Sequence, residues 1–375
     1  MTTRLLQRQI FPLDRDLDVL PLYVDPEEVN LDADRYTIGG NRAAKDLNNA
    51  AIRQKTSTGA TIHPDQIESR TAIRVRSGDK LSFGTYFNAF PASYWRRWTI
   101  VDEVTLTIEV EGRGATVVVY KSMARGHSQR VEAASTGSDD RGRFTFELSL
   151  KPFIDGGWYW YDVVAGDEDV VVGSAEWTAE VPEDRAQHGT VDYCITTMNR
   201  PDFVAKLLGQ IADAEELQPY LDQVLVMEQG TQLMRDSEFF PAAEKALGSR
   251  LRVIEQGNLG GSGGYARGQL ESVRKGTATY ALMMDDDIVV ETEGIIRAVT
   301  FGDLARRPTI VGGHMFNLYS RRGCTASARS CSPGGSGGRP ASTATATGTS
   351  APATCARRGG CTSAPTSTTT AGSCA

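Results

Sequence analysis

Three consecutive carboxylates, Asp285-Asp286-Asp287, directly follow the apolar run Tyr280-Ala281-Leu282-Met283-Met284. Acids packed this closely repel one another and partly reprotonate unless a cation sits among them. On an extended segment alternate residues point the same way, so Asp285 and Asp287 can share one ion while Asp286 faces elsewhere. Hard oxygen ligands favour Mg²⁺ or Mn²⁺. Such an ion can bridge a diphosphate and stabilise the charge of a departing nucleoside diphosphate. A solvated acidic turn is the competing reading, and the triplet alone leaves both open.

Three other segments have the chemistry of a diphosphate site. Asn258-Leu259-Gly260-Gly261-Ser262-Gly263-Gly264 lets backbone N–H groups approach a phosphate or sugar at a helix N-terminus, though it is neither a P-loop nor a dinucleotide fingerprint. Arg200, in Thr196-Thr197-Met198-Asn199-Arg200-Pro201, could meet a diphosphate through charge-assisted bonds. Gln229, in Glu228-Gln229-Gly230, could read a uracil or ribose edge. Each segment alone could be an ordinary turn or surface loop. Together they fall at the ends of successive predicted strands.

Those strands are Val191–Thr196, Gln223–Met227, Leu251–Ile254 and Tyr280–Met284, with helical stretches between them. Pro201 suits the first turn of the first helix. Alternating strands and helices predict an open, mostly parallel α/β sheet, with ligands gathered at the carboxyl ends of its strands. The preceding region has a different period. Val104–Val110, Ala115–Tyr120, Phe144–Leu148 and Val170–Val172 read as strands separated by turn signals such as Glu111-Gly112-Arg113-Gly114. They predict an antiparallel β-sandwich, jelly-roll-like. The expected domains are 1–185, the β-sandwich; 186–320, the α/β unit; and 321–375, a low-complexity tail. The aromatic stretch Phe87–Trp98 could offer sugars a stacking surface or pack the core and a domain interface, and packing is the reading favoured.

Composition bounds the partners. The chain has 375 residues, enough for two domains, and a formal net charge of −7. Six Arg and no Asp, Glu or Lys follow Ser320, so the first 320 residues have a net charge of −13. Such a surface repels polyphosphate at long range, which argues against nucleic acid as a partner. No apolar run reaches 18 residues and the start lacks a secretory core, so a cytoplasmic protein is expected. Cys194 stands alone before residue 320, which suits a reducing compartment. Residues 321–375 contain no Leu, Ile, Val, Phe, Met, Trp or Tyr, so disorder is expected there, and the abrupt change suggests a reading-frame shift near Ser320.

Phe87-Asn88-Ala89-Phe90-Pro91-Ala92-Ser93-Tyr94-Trp95-Arg96-Arg97-Trp98-Thr99 resembles the N-terminal domain of the actinobacterial polymerising galactofuranosyltransferases, which extend cell-wall galactan. The resemblance continues through Pro152–Trp158, Asn199-Arg200-Pro201, Asp222-Gln223-Val224, Asn258–Tyr265, Met284–Ile288 and Val311-Gly312-Gly313, and stops at about residue 319. It implies a β-sandwich on a GT-A-type nucleotide-diphospho-sugar transferase domain. It further implies that Arg200, Gln229, Asn258 and Asp285 bind UDP-galactofuranose, with Asp285 and Asp287 on Mn²⁺ or Mg²⁺. Members transfer galactofuranose with inversion, alternating 1→5 and 1→6 linkages onto a lipid-linked galactan acceptor. Peripheral association with the inner face of the plasma membrane is also implied, and a homo-oligomer is left open. Thr196 and Met198 stand where members usually have Pro and Phe. The family's base lies in a Trp-Asp-Asp segment beyond the triplet, and a later His completes its metal site. Neither is found here, and His314 falls too early to be that ligand. No transferase activity is therefore expected of this chain as it stands. A non-catalytic binder of nucleotide sugars or carbohydrates is the alternative reading.

Overall fold

The computed structural model describes residues 1–12, 16, 19–27, 62–123, 128–317, 320–326 and 344–345. The chain is a mixed α/β protein with several antiparallel sheets and one parallel sheet. In chain order the N-terminal elements are β1 (Thr2–Arg8), β2 (Asp25–Glu27), β3 (Ile73–Val75), β4 (Lys80–Ser82), α1 (Ala92–Trp98), β5 (Glu103–Glu111), β6 (Thr116–Ser122), β7 (Ser128–Ser135), β8 (Arg141–Ser149), β9 (Tyr159–Val164) and β10 (Val170–Val181). One sheet runs β1-β10-β5-β8 with β3 added to β10, and the other runs β2-β4-β9-β6-β7. Every pairing in both is antiparallel.

Period-2 alternation explains how the two sheets share a core. Along β5, Val104, Leu106, Ile108 and Val110 are buried while Glu103, Glu109 and Glu111 are exposed. On the other sheet Leu81, Val117, Val119, Tyr161 and Val163 join the same apolar cluster. Within it Phe90 stacks on Trp177 at 4.8 Å and on Trp95 at 5.8 Å. The Phe87–Trp98 aromatics thus include core residues, with Phe87, Phe90 and Trp95 all buried.

The second region contains β11 (Val191–Thr197), α2 (Pro201–Asp213), β12 (Leu221–Glu228), α3 (Phe240–Leu247), β13 (Leu251–Glu255), α4 (Gly260–Lys275), β14 (Tyr280–Asp285) and α5 (Thr292–Leu304). Its four strands are parallel in the order β13-β12-β11-β14. Both faces are covered. Tyr193, Ile195, Val224 and Val226 pack with Val204, Leu208 and Ile211 of α2 and with Ala243 and Leu247 of α3. The alternate residues Cys194, Leu225, Met227 and Met283 form a smaller cluster with Tyr265 of α4. Sequential burial on two faces explains why these strands read as continuous apolar runs.

Helix α5 belongs to both regions. Ile295, Ile296 and Val299 pack in the α/β core, whereas Leu304 lies in the cluster of the β sheets. Beyond it, β15 (Met315–Asn317), β16 (Ser320–Ala326) and β17 (Ala344–Thr345) pair antiparallel. Disorder was expected from residue 321 onward, yet 321–326 and 344–345 are extended and paired. Backbone hydrogen bonding alone suffices for such pairing and needs no apolar side chain. The expectation for 327–343 and 346–375 lies outside the described residues.

Candidate functional site

The four parallel strands present their carboxyl ends on one edge, and every singled-out residue lies there. β14 ends at Asp285, so Asp286 and Asp287 occupy the bend beyond it. The three acids have three different partners. Asp285 Oδ1 accepts a hydrogen bond from the Tyr265 hydroxyl of α4. Asp286 is buried, its Oδ2 accepting from the Thr197 hydroxyl at 2.6 Å. Burial pushes the Asp286 carboxyl above the ordinary carboxylate range, against the pull of Thr197. Asp287 is ion-paired with Arg200, whose Nη1 also lies 3.6 Å from Asp286 Oδ1. The hydrogen bond to Asp287 raises the Arg200 pKa, and the charges of all three acids add to it.

Arg200 is aimed by its neighbours. Asn199 takes a left-handed backbone conformation, φ 54°, which asparagine tolerates better than most residues. Its Oδ1 accepts from the backbone N–H of Thr231 at 2.7 Å and of Gln232 at 2.9 Å. A Cβ at Gly230 would fall 2.3 Å from that oxygen, so the turn after β12 must be glycine there. The ends of β11 and β12 are thereby pinned together, and Arg200 follows as the residue before α2.

Gln229 and Asn258 serve the glycine-rich segment. Gln229 Nε2 donates to the Gly260 carbonyl at 3.2 Å, and its Oε1 accepts from Leu259 N–H at 2.8 Å. The amide therefore braces the start of α4. Asn258 Oδ1 accepts from Gly260 N–H at 2.9 Å, a local turn at an exposed position. Helix α4 starts at Gly260, so the glycines form its first turns, shortly after the carboxyl end of β13. Glycine is costly in a helix, and close packing explains two of them. A Cβ at Gly264 would lie 2.3 Å from the Thr196 side chain, and one at Gly268 would lie 2.8 Å from Cys194 Cβ.

Asp285 and Asp287 offer hard oxygen donors at the open edge, a donor set that fits Mn²⁺ or Mg²⁺. Among the described residues no three His, Cys, Asp or Glu side chains gather as a ready cation cage. An ion there would rest on two carboxylates, and phosphate oxygens and water would supply the remaining ligands. The residues that spacing alone did not reveal are Tyr265, Thr197 and Asn199. Tyr265 reads as an ordinary helical aromatic, and only the docking of α4 on β11 brings it to Asp285.

Comparison with known proteins gives first the class. The curated relatives are named galactofuranosyltransferases, that is, transferases of a hexosyl unit, and one solved structure shows a weak likeness. That structure is the mannosyltransferase PcManGT from Pyrobaculum calidifontis, in complex with GDP-Man and Mn²⁺. It is 16% identical, with a TM-score of 0.25, covering 38% of this chain and 41% of that one. Residues 42–180 match the family model described as galactofuranosyltransferase 2 N-terminal. The galactofuranosyltransferases GlfT2 of Mycolicibacterium smegmatis and of Mycobacterium tuberculosis are each 38% identical over 275 residues, covering 73% of this chain. The chain is a GlfT2-like protein. It spans 42% of the length of these relatives.

Proposed function

We propose that residues 188–318 form the donor half of a galactan-building glycosyltransferase of the GT-A type, with a β-sandwich in front of it. The donor is UDP-galactofuranose. Arg200 and the first turn of α4 meet its diphosphate, Gln229 and Asn258 shape the glycine-rich wall, and Asp285 and Asp287 hold Mn²⁺ or Mg²⁺. The observation that carries this reading is the Arg200–Asp287 pair. Without ligand, a carboxylate suited to a cation and a guanidinium suited to a phosphate satisfy each other at the strand ends, and a metal and a diphosphate arriving together would give each a new partner of opposite charge.

The metal would supply charge stabilisation to the departing UDP. The chain's own residues act before and beside it. Arg200 turns from Asp287 to the diphosphate by charge-assisted bonds. The backbone N–H groups at the start of α4 donate to the remaining phosphate oxygens. Tyr265 holds one Asp285 oxygen, which fixes the direction of the other. In the complete reaction galactofuranose passes with inversion to a lipid-linked galactan acceptor, in 1→5 and 1→6 linkages, at the inner face of the plasma membrane. That step needs a base, and the part of it these residues would perform is donor binding.

Calorimetry with UDP and Mn²⁺ tests the reading. Asp287→Ala should weaken binding of UDP in the presence of Mn²⁺ by tenfold or more. Equal affinity in wild type and variant would remove the metal from this site.

A further inference from the structure

The loop that bears Asp286 and Asp287 is held from two sides. From the α/β side, Thr197 binds Asp286, Gln210 Nε2 donates to the Val290 carbonyl at 2.8 Å, and Val290 N–H donates to Gln210 Oε1 at 3.1 Å. From the N-terminal region come Arg8 of β1 and Arg70 of the turn before β3, and Arg297 of α5 joins them. Arg70 forms a two-pronged pair with Glu291, and its Nη1 also donates to the Phe11 carbonyl at 2.7 Å. Tyr23 donates to Glu291 Oε2 at 2.8 Å. Arg8 Nε meets Glu293 Oε2 at 2.6 Å, and Arg297 Nε meets Glu293 Oε1 at 3.3 Å. Arg297 is itself tied to the carbonyls of Phe87 and Arg8. Glu291 and Glu293 are both buried.

Glu291 has a second task. It is the N-cap of α5, its Oε1 accepting from Glu293 N–H at 3.2 Å. The same carboxylate therefore caps the helix and receives Arg70 from the β sheets, four positions after Asp287. We propose that Arg70 is a positioning residue for the acidic triplet, acting through Glu291. Without Arg70 the buried Glu291 carboxylate loses its direct ion-pair partner, and the cheapest relief is for it to turn toward water. That movement uncaps α5 and frees the end of the segment that begins at Asp286. The β sheets thus set the geometry of the donor site without touching the donor. The inference rests on the donor-site reading for its effect on ligands, but not for its effect on the loop.

The experiment compares wild type with Arg70→Ala, Arg70→Lys and Glu291→Gln, using Arg113→Ala as control because Arg113 is exposed and pairs with the exposed Asp140. Hydrogen exchange of the ligand-free proteins reads residues 286–296. Calorimetry at 25 °C reads UDP with and without Mn²⁺, after circular dichroism has shown each variant folded. Arg70→Ala should raise exchange at least tenfold in 286–296 but not in β11 or β12. It should weaken the Mn²⁺-dependent affinity about tenfold and leave affinity for UDP alone unchanged. Arg70→Lys, which keeps charge but loses the fork, should fall between. Unchanged exchange in 286–296 overturns the proposal, as does an equal loss of both affinities. Should Arg70→Ala fail to fold, Glu291→Gln keeps a neutral cap and decides by the same two readouts. Should wild type bind neither UDP nor Mn²⁺, the donor reading fails and exchange alone decides the clamp.

Discussion

At the residue scale, the Arg200–Asp287 pair makes two ligands antagonise each other's absence. With no nucleotide present, Arg200 competes with any divalent cation for Asp287. Arg200→Ala should therefore tighten binding of Mn²⁺ alone while weakening UDP several-fold, measurable by paramagnetic titration and calorimetry. Parallel loss of both would show that Arg200 supports the carboxylate rather than competing for it. Cys194 gives an independent check on the core. Burial, aided by Asp192, pushes its thiol up to about 12. At pH 8 the native protein should resist iodoacetamide at this position, as peptide mapping would report. The acidic triplet and Arg200 were legible from sequence because their charges stand where apolar strands stop, a change that is local in the chain. Tyr265 was not, because its partner is 20 residues away and is reached only once α4 has docked.

At the element scale, α4 is the piece whose fit decides the site. Its glycines were readable as an approach to phosphate, but two of them answer to the sheet beneath. Gly264 and Gly268 let the helix sit against Thr196, Cys194 and Met227, and a side chain at either position would lift it. Gly268→Ala should cost about 1–3 kcal/mol by overpacking, seen as a lower urea midpoint with an unchanged slope. Tyr265 would rise with the helix and leave Asp285. The strands themselves were readable because alternation and apolar runs are local signals. The pairing order β13-β12-β11-β14 and the tie between Gln229 and Gly260 were not, since they depend on which elements meet.

At the scale of the whole molecule, buried phenols set an alkaline limit. Burial raises the Tyr159 hydroxyl to about 12 from an ordinary 10.0, and Tyr161 is raised as well. Below pH 10 both folded and unfolded chains keep these protons, and their contribution to stability is intact. Above pH 10 the unfolded chain ionises while the folded chain does not, so stability should fall as pH rises toward 12. Urea midpoints measured from pH 8 to 11 would show this as a decline confined to the alkaline end, and Tyr159→Phe should lessen it.

Helix α5 draws the two regions into one inheritance. Its start is held by Arg8 and Arg70, and its end by the Arg4–Asp303 pair and by Leu304 in the core of the β sheets. Just beyond, Thr99 bridges Ala305, and Trp95 meets Phe301 edge-on at 5.1 Å. A cut drawn at residue 185, where the chain passes from one period to the other, would sever neither sheet. It would nonetheless leave the β region with an open aromatic socket and with Arg4, Arg8 and Arg70 parted from their carboxylates on α5 and its cap. A gene fragment ending there would encode a complete set of strands and an unfinished surface, because the β region is closed by a helix written more than a hundred codons later.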